Sequence, residues 1–378
     1  MKLKLIFCFL AFVGAFTFVN AQEDISKLDK NFAVQKVGNL DVVYKDALSE
    51  PFVLEGFPFR KKGEPLRRLP SYIKPEDISN GVYHLANHTS GGVIRFRTDS
   101  PYLTIRARIG HRKISMGHMP ATGSSGFDLM ADKDTYIKTV NPMHYKREIP
   151  EPLEVLMTKN NPKTMRDYTL YLPLYNSVKS IEIGFAPSAK VEAPTPHKVK
   201  KPIVFYGSSI THGACASRTS LPYTALVCRD VDAPMVNLGF SGNAKGEPKM
   251  AELIASLDMS VFVYDYDYNA PTPEHLAKTH EKFFRIIRAK HPELPIVILS
   301  KINSPTSNST VKRRNIIRKT YENAVAKGDK NVYFLDGSKF FGDVDRYECT
   351  VDGTHPNDLG FYRMYQGVLP TLQKILLK

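Results

Sequence analysis

Five short apolar runs in the second half of the chain, each followed by a helix-length segment, restrict the possible folds more than any other feature. The runs are Ile203 to Tyr206, Met235 to Leu238, Ser260 to Tyr264, Ile296 to Ser300 and Val332 to Leu335. Helical patterns fill the intervals at Leu221 to Asp230, Glu247 to Leu257, Pro273 to Ala289 and Thr310 to Lys327, and a terminal one covers Asp358 to Leu377. A strand that is apolar along its whole length must be covered on both faces, and strands joined through helices run parallel. The expectation is an α/β architecture, a parallel sheet with helices on both faces. In such sheets the working residues gather in loops at the carboxyl ends of the strands.

The loop after the first run is the richest in chemistry. Tyr206-Gly207-Ser208-Ser209-Ile210-Thr211-His212-Gly213 lifts Ser209 off the end of a buried strand onto a sharp bend, with its hydroxyl exposed. A serine at its free pKa attacks poorly, so the reading needs a base. Asp352-Gly353-Thr354-His355 supplies one from a Gly- and Pro-punctuated loop near the far end of the chain. An Asp three residues before a His can hold one ring nitrogen while the other takes the serine proton. A loop aspartate beside a surface histidine is the rival explanation. His212 lies too close to Ser209 along the turn to serve as its base and is expected at the pocket rim.

Attack on an ester carbonyl builds an oxyanion that needs fixed N–H donors. The Ser209 backbone N–H is one candidate. Gly242, in the loop after the second strand, is another, because a residue without Cβ lets backbone approach a substrate. The side-chain amide of Asn269, at the end of Tyr264-Asp265-Tyr266-Asp267-Tyr268-Asn269, is a third. A plain tight turn at Gly242 and a helix cap at Asn269 are the alternatives, and Asn243 is the rival amide. All three loops open on one rim.

The order of Tyr206-Gly207-Ser208-Ser209-Ile210-Thr211, Asn237-Leu238-Gly239-Phe240-Ser241-Gly242-Asn243, Asn269 and Val351-Asp352-Gly353-Thr354-His355-Pro356-Asn357 resembles the SGNH (GDSL-type) hydrolase superfamily. Met119-Pro120 through Gly126-Phe127-Asp128-Leu129, with Tyr171-Leu172-Pro173-Leu174-Tyr175, is similar to the bacterial branch that carries an N-terminal β-sandwich. The resemblance implies a flavodoxin-like hydrolase preceded by a jelly-roll-like sandwich. It also implies Ser209 as nucleophile, His355 as general base and then acid, and Asp352 as the orienting carboxylate. Ser209, Gly242 and Asn269 would form the oxyanion hole. Two departures stand out: Ser208 occupies a position that is often Asp, and Asn269 sits in an unusually Tyr- and Asp-rich loop.

The first half of the chain follows a different grammar. Val93 to Arg97, Leu103 to Ile109, Thr169 to Leu172 and Ser180 to Ile183 show period-two apolarity between turn clusters, which argues for an antiparallel sandwich. Its aromatics Tyr102, Phe127, Tyr136 and Tyr145 are expected in the core rather than on a sugar-stacking surface. Glu192 to Lys201 is a Pro- and Lys-rich connector. Residues 1–21 read as a signal peptide, with Lys2 and Lys4 before an apolar run and Val19-Asn20-Ala21 as cleavage site. The expected organisation is therefore signal peptide 1–21, sandwich 22–191, linker 192–201 and hydrolase 202–378, in a protein that is periplasmic or extracellular.

Of the net charge of +14, Lys2 and Lys4 carry two, leaving +12 on the remainder. That charge is scattered in short runs without interleaved aromatics, so nucleic acid is not the expected partner. No later segment is long and apolar enough to span a bilayer. Outside the signal region the cysteines are Cys215, Cys228 and Cys349. Cys215 follows the Ser209 turn and Cys349 precedes the His355 loop, so an oxidising compartment permits a Cys215–Cys349 bridge, with two free thiols as the alternative. No spacing suggests a zinc site. The leading expectation is an exported serine esterase without metal or organic cofactor, acting on an acylated glycan, most simply an O-acetyl one. Tyr266, Tyr268 and His212 are candidates for shaping its pocket. A lipid or lysophospholipid esterase and a glycan-binding protein with a vestigial hydrolase are the alternatives.

Overall fold

The computed structural model describes residues 39–113, 116–143, 148–302 and 307–377. The expected signal peptide and Tyr145 lie outside them. Ten antiparallel strands come first: β1 (Val43–Asp46), β2 (Val53–Glu55), β3 (Val93–Thr98), β4 (Tyr102–Ile109), β5 (Phe127–Ala131), β6 (Thr135–Val140), β7 (Leu153–Lys159), β8 (Arg166–Tyr171), β9 (Val178–Phe185) and β10 (Val191–Glu192). Helix α1 (Asn80–Leu85) precedes β3, and the short α2 (Ala121–Ser124) precedes β5. They form two sheets, one ordered β1-β9-β4-β7 and the other β10-β3-β8-β5-β6 with β2 also on β3.

The core between these sheets takes alternate residues of the central strands. Ile94 and Phe96, Phe127 and Leu129, and Tyr168 and Leu170 point into it. The intervening Val93, Met130 and Tyr171 face the other way, into the core of the parallel sheet. The central strands β3, β5 and β8 of the second sheet are thus covered on both faces, and Lys36–Lys378 form one compact unit. Of the aromatics expected in the core, Phe127 is fully buried, Tyr102 half-buried and Tyr136 exposed. Arg218 lies 4.4 Å from the Tyr136 ring centroid.

The second half alternates β11 (Ile203–Gly207), α3 (Ser209–His212), α4 (Tyr223–Val231), β12 (Met235–Gly239), α5 (Pro248–Ala255), β13 (Val261–Asp265), α6 (Pro273–Lys290), β14 (Ile296–Leu299), α7 (Asn308–Ala326), β15 (Val332–Leu335) and α8 (Asp358–Leu376). The strands pair in parallel in the order β12-β11-β13-β14-β15, the flavodoxin-like arrangement, with the order reversing at β11. Successive residues of one strand serve opposite cores. Val204 and Tyr206 pack with Phe262, Tyr264, Phe283 and Ile287. Ile203 and Phe205 pack with Tyr223, Val227, Phe361 and Leu372.

The connector between the two halves is pinned along its length. Thr195 donates to Asp167 through its backbone N–H and its hydroxyl, both at 2.7 Å. His197 bridges Glu55 and Asp232. Deeper in the contact sits Arg68, 0% exposed. Its guanidinium donates to the Asn237, Gly239 and Leu85 carbonyls at 2.9, 2.7 and 2.8 Å, and it lies 4.7 Å from the Phe240 ring centroid. Burial pulls its pKa down to about 9, so it remains a cation at neutral pH, held by three carbonyl dipoles and the face of Phe240.

A second buried polar group underlies the first strand's exit. The Asp265 carboxylate accepts from Thr211 Oγ1 at 2.7 Å and Tyr223 OH at 2.9 Å. Burial raises its pKa to about 7, against the opposing pull of those two donors. Two outcomes follow from these groups. Arg68→Ala leaves three carbonyls without their donor and should lower the unfolding free energy by about 3 kcal/mol in urea titrations. For Asp265, the folded carboxyl titrates about three units above the unfolded value near 4, so the native chain holds the extra proton in that window and loses stability as pH rises through it. Wild type should therefore weaken relative to Asp265→Asn by about 1–4 kcal/mol between pH 4 and 8; parallel stability curves would refute the assignment.

Candidate active site

Strand β11 ends at Gly207, and Ser208 leaves it in extended conformation to cap α3, its Oγ accepting from Ile210 N–H at 3.2 Å. Serine thus performs at this position the capping an aspartate would. Ser209 is the first residue of α3 and 7% exposed. Its Oγ stands 3.0 Å from His355 Nε2. On the other side of that ring, Nδ1 is 2.7 Å from Asp352 Oδ2. The three residues, expected to meet from opposite ends of the fold, form one hydrogen-bonded line.

The His355 loop is rigid for local reasons. Asp352 Oδ1 accepts from the backbone N–H groups of His355 at 2.8 Å and Thr354 at 3.0 Å. Val351 N–H bonds His355 O at 2.9 Å, and Thr350 bridges Pro356. Asn357 then caps α8 through Gly360 N–H. Burial pushes the Asp352 pKa up, but the two N–H bonds and the imidazole outweigh it and leave the value at about 2. Asp352 is therefore an anion whenever His355 is called upon, and with its carboxylate on Nδ1 the free tautomer presents Nε2 as an acceptor to the serine hydroxyl. Ser217 brings the two loops together: its N–H donates to Asp358 Oδ1 at 2.9 Å and its hydroxyl to Asp358 Oδ2.

Gly242 adopts φ +68°, and a Cβ there would meet nothing within 4 Å. Glycine suits this site through its left-handed backbone and through the open space on that side. Gly239 is required for a different reason, since a Cβ would come within 2.3 Å of His212 N. Asn269 Oδ1 accepts from Ala244 N–H at 3.4 Å, linking the second loop to the third. This orients the amide so that its NH2 group has no protein acceptor among the described residues, and the Gly242 N–H has none either. Asn243 is spent in the turn, donating to Ser241 O at 2.6 Å.

Several expectations are corrected. His212 is not at the rim: it is 0% exposed. Its Nε2 bonds Leu174 O at 2.8 Å and its Nδ1 faces Ser241 N–H at 3.4 Å. That pairing fits the neutral ring, and burial with nearby Arg68 holds its pKa well below the usual imidazole range. Tyr266 is also core, its hydroxyl on Lys245 O at 2.7 Å and its ring packed beside Tyr206, Tyr264 and His280. Tyr268 is partly exposed, with its hydroxyl on Ile302 O and Lys301 Nζ 4.5 Å from its ring centroid. Cys215 and Cys349 are free, buried thiols rather than a bridge. Cys349 Sγ turns to Asp345 O at 3.5 Å, while Cys215 Sγ faces the His355 side of the site.

Sequence reasoning missed the contribution of the sandwich. Tyr175 stacks on His212, centroids 4.1 Å apart, and its hydroxyl lies 3.4 Å from Ser209 O. Thr122 Oγ1 donates to Ser217 O at 2.5 Å. The His118 ring lies 5.6 Å from that of His355. The signal was present in the Tyr171-to-Tyr175 motif, which ends on the residue that reaches the Ser209 turn. Ligand atoms of His118, Cys215 and His355 lie within 4.8 Å of one another. Both His355 nitrogens are already engaged by Ser209 and Asp352, so a metal there would compete with the hydrogen-bonded line instead of supporting it.

Residues 200–373 match the GDSL-like Lipase/Acylhydrolase family. Residues 42–191 match the family that forms the N-terminus of SGNH-hydrolase-type esterases. Among solved structures, a protein described as a GDSL-like lipase from Bacteroides ovatus is 30% identical over 89% of this chain and 98% of its own, with a TM-score of 0.77. The salicylyl-acyltransferase of a tetracycline biosynthetic pathway is 21% identical over 89% and 99%, with a TM-score of 0.75. A family two carbohydrate esterase from Cellvibrio japonicus is 13% identical over 89% and 98%, at 0.58. The last two share the fold. No curated protein matches the sequence. On its sequence and its architecture together, the chain belongs to the GDSL-like (SGNH) family of ester-hydrolysing enzymes, in the branch that carries an N-terminal β-sandwich.

Proposed function

We propose that this enzyme is an exported serine esterase that removes ester-linked acyl groups, chiefly O-acetyl, from a carbohydrate through an acyl-enzyme. The observation that carries the reading is the line from Ser209 Oγ to His355 Nε2 at 3.0 Å and from Nδ1 to Asp352 at 2.7 Å. Ser209 Oγ attacks the acyl carbon while its proton passes to Nε2, and Asp352 stabilises the imidazolium that results. The carbonyl oxygen, now an anion, is received by the Ser209 and Gly242 N–H groups and the Asn269 amide. Collapse breaks the ester bond, and His355 returns the proton to the departing sugar oxygen. Water then attacks the acyl-enzyme and gives a proton to His355, which passes it to Ser209 Oγ as the Oγ–acyl bond breaks and acetate leaves. The shared fold with carbohydrate esterases and the apolar run before Gln22 support the substrate class and the export.

Ser209→Ala should lower turnover of 4-nitrophenyl acetate by about 10⁴-fold or more with an unchanged melting temperature. Wild-type rates in that variant would remove the proposed nucleophile. Asp352→Asn should keep the fold and lower kcat by about 10²- to 10⁴-fold, since His355 loses both its orientation and the charge opposite its cation. Acetate release from a panel of acetylated polysaccharides, set beside hydrolysis of long-chain aryl esters, identifies the substrate class. Preference for the long acyl chains would transfer the reading to lipid esters.

A further inference from the structure

Three side chains of the kinds that bind transition metals converge beside the proposed base. They are His118 from the sandwich, Cys215 from the turn after α3, and His355 itself, and their ligand atoms lie within 4.8 Å of one another. The His118 and His355 ring centroids are 5.6 Å apart. No local spacing announces the group, because each member comes from a different part of the chain.

Ser217 gathers them. Its carbonyl accepts from Thr122 Oγ1 at 2.5 Å, which ties the His118 segment to the Cys215 loop. Its N–H donates to Asp358 Oδ1 at 2.9 Å and its hydroxyl bonds Asp358 Oδ2, which ties the same loop to the start of α8, just beyond His355. The three segments that carry the ligands thus meet at one residue. Two of the three ligands are uncommitted: among the described residues neither the Cys215 thiol nor the His118 imidazole has a hydrogen-bond partner. His118 is exposed and His355 partly so, which leaves the group open to solvent on the side of the rings.

The donor set selects the ion. Thiolate and imidazole suit Zn²⁺ and its softer relatives, whereas Mg²⁺ and Ca²⁺ want oxygen. Burial and the neighbouring Asp352 carboxylate raise the Cys215 pKa to about 11, so the free protein carries a thiol there, and a metal that binds it releases the proton to solvent. Zinc takes sulfur at ~2.3 Å and nitrogen at ~2.0–2.1 Å, which sets ligand atoms of one tetrahedral ion about 3.3–3.6 Å apart. The group therefore has to close by at most about 1.5 Å, a distance that a turn of the exposed His118 side chain can supply.

We propose that His118, Cys215 and His355 form an inhibitory site for a thiophilic divalent cation, Zn²⁺ above all. The inference rests on the esterase reading, in which His355 is the base. Whichever ring nitrogen the metal takes is one that now faces Ser209 or Asp352, so binding breaks the hydrogen-bonded line and stops acyl transfer. Removing the ion restores the line, to which neither His118 nor Cys215 belongs.

Wild type, His118→Ala and Cys215→Ala, stripped of metal with EDTA and exchanged into chelator-free buffer, are titrated with Zn²⁺ while they hydrolyse 4-nitrophenyl acetate. Zn²⁺ should inhibit wild type and added EDTA should restore it. Half-inhibition should need about 10-fold more Zn²⁺, or higher, in each variant, since losing even an outer partner of a metal ligand costs ~10- to 100-fold in affinity. Equal half-inhibition in wild type and both variants, or none in wild type, overturns the site. A shift in Cys215→Ala alone overturns the three-ligand arrangement. Cd²⁺ gives a readout that needs no turnover: its ultraviolet thiolate charge-transfer absorption should appear in wild type, vanish in Cys215→Ala and need more Cd²⁺ in His118→Ala. A band that Cys215→Ala retains overturns the site. If wild type cleaves no ester, the esterase reading fails separately and the Cd²⁺ titration still decides whether the metal binds. His118→Ala, at an exposed position, carries the test if Cys215→Ala folds poorly.

Discussion

The site depends on strand register. Gly207 of β11 lies level with Gly239 of β12 and Asp265 of β13, so the three strands stop at one height. The loops that follow carry Ser209, Gly242 and Asn269 and start from one edge. Parallel pairing makes this alignment cheap, since all the carboxyl ends already point the same way. A slip of one residue would turn every side chain of a strand to the opposite core. Both cores are filled with aromatic and branched side chains, so the register that packs the sheet also levels the rim.

His355, the proposed base, arrives from outside the sheet, and its placement relies on a different kind of bond. His355 lies on the segment between β15 and α8, which Phe341 and Cys349 anchor in the core, and the partners of its own turn are backbone groups and short polar side chains. Ser217 and Asp358 join that loop to the serine turn, and Thr122 from the sandwich bonds the carbonyl of the same Ser217. Arg68 bonds the carbonyls of Asn237 and Gly239 just where β12 gives way to the Gly242 loop. The sandwich therefore buttresses two of the three loops at the rim. Burying an unpaired guanidinium charge is expensive, and it is tolerated here because three carbonyl dipoles converge on it.

How much of this could be read from the chain differed with the type of signal. The parallel strands were legible because they are largely apolar on both faces, four of the five being buried at every position, and the helices because their periodicity is long. In the sandwich, β3, β4, β8 and β9 showed an alternation. Strand β5 did not: Phe127-Asp128-Leu129-Met130-Ala131 is buried at every position, because one side fills the sandwich and the other meets the hydrolase core. A pattern search for half-exposed strands passes over such a segment. Asp128 hides its polarity there by accepting from Ser220 and Thr139. The site motifs were legible as short blocks with fixed internal spacing. His212 and Tyr266 were misplaced because a His or Tyr near a motif looks functional until its polar atom is seen bonded to a buried carbonyl. The Tyr175 contact is a tertiary fact, formed across a domain junction that local spacing does not encode.

Two aspartates close to the serine turn show how environment separates roles within one site. Asp265 is fully buried, and with only hydroxyl donors its carboxyl is pushed toward neutrality. Asp352 is partly open to solvent and is held by two backbone N–H groups and an imidazole, so its charge persists far into acid. The same side chain is thus a structural cross-tie beneath the turn in one place and a permanent anion behind the histidine in the other. Exchanging the two environments would leave His355 without a fixed charge at Nδ1 and would place an uncompensated anion under Ser209. The two backbone N–H groups and the imidazole of the His355 loop are therefore part of how the site works: they keep Asp352 ionised against its partial burial.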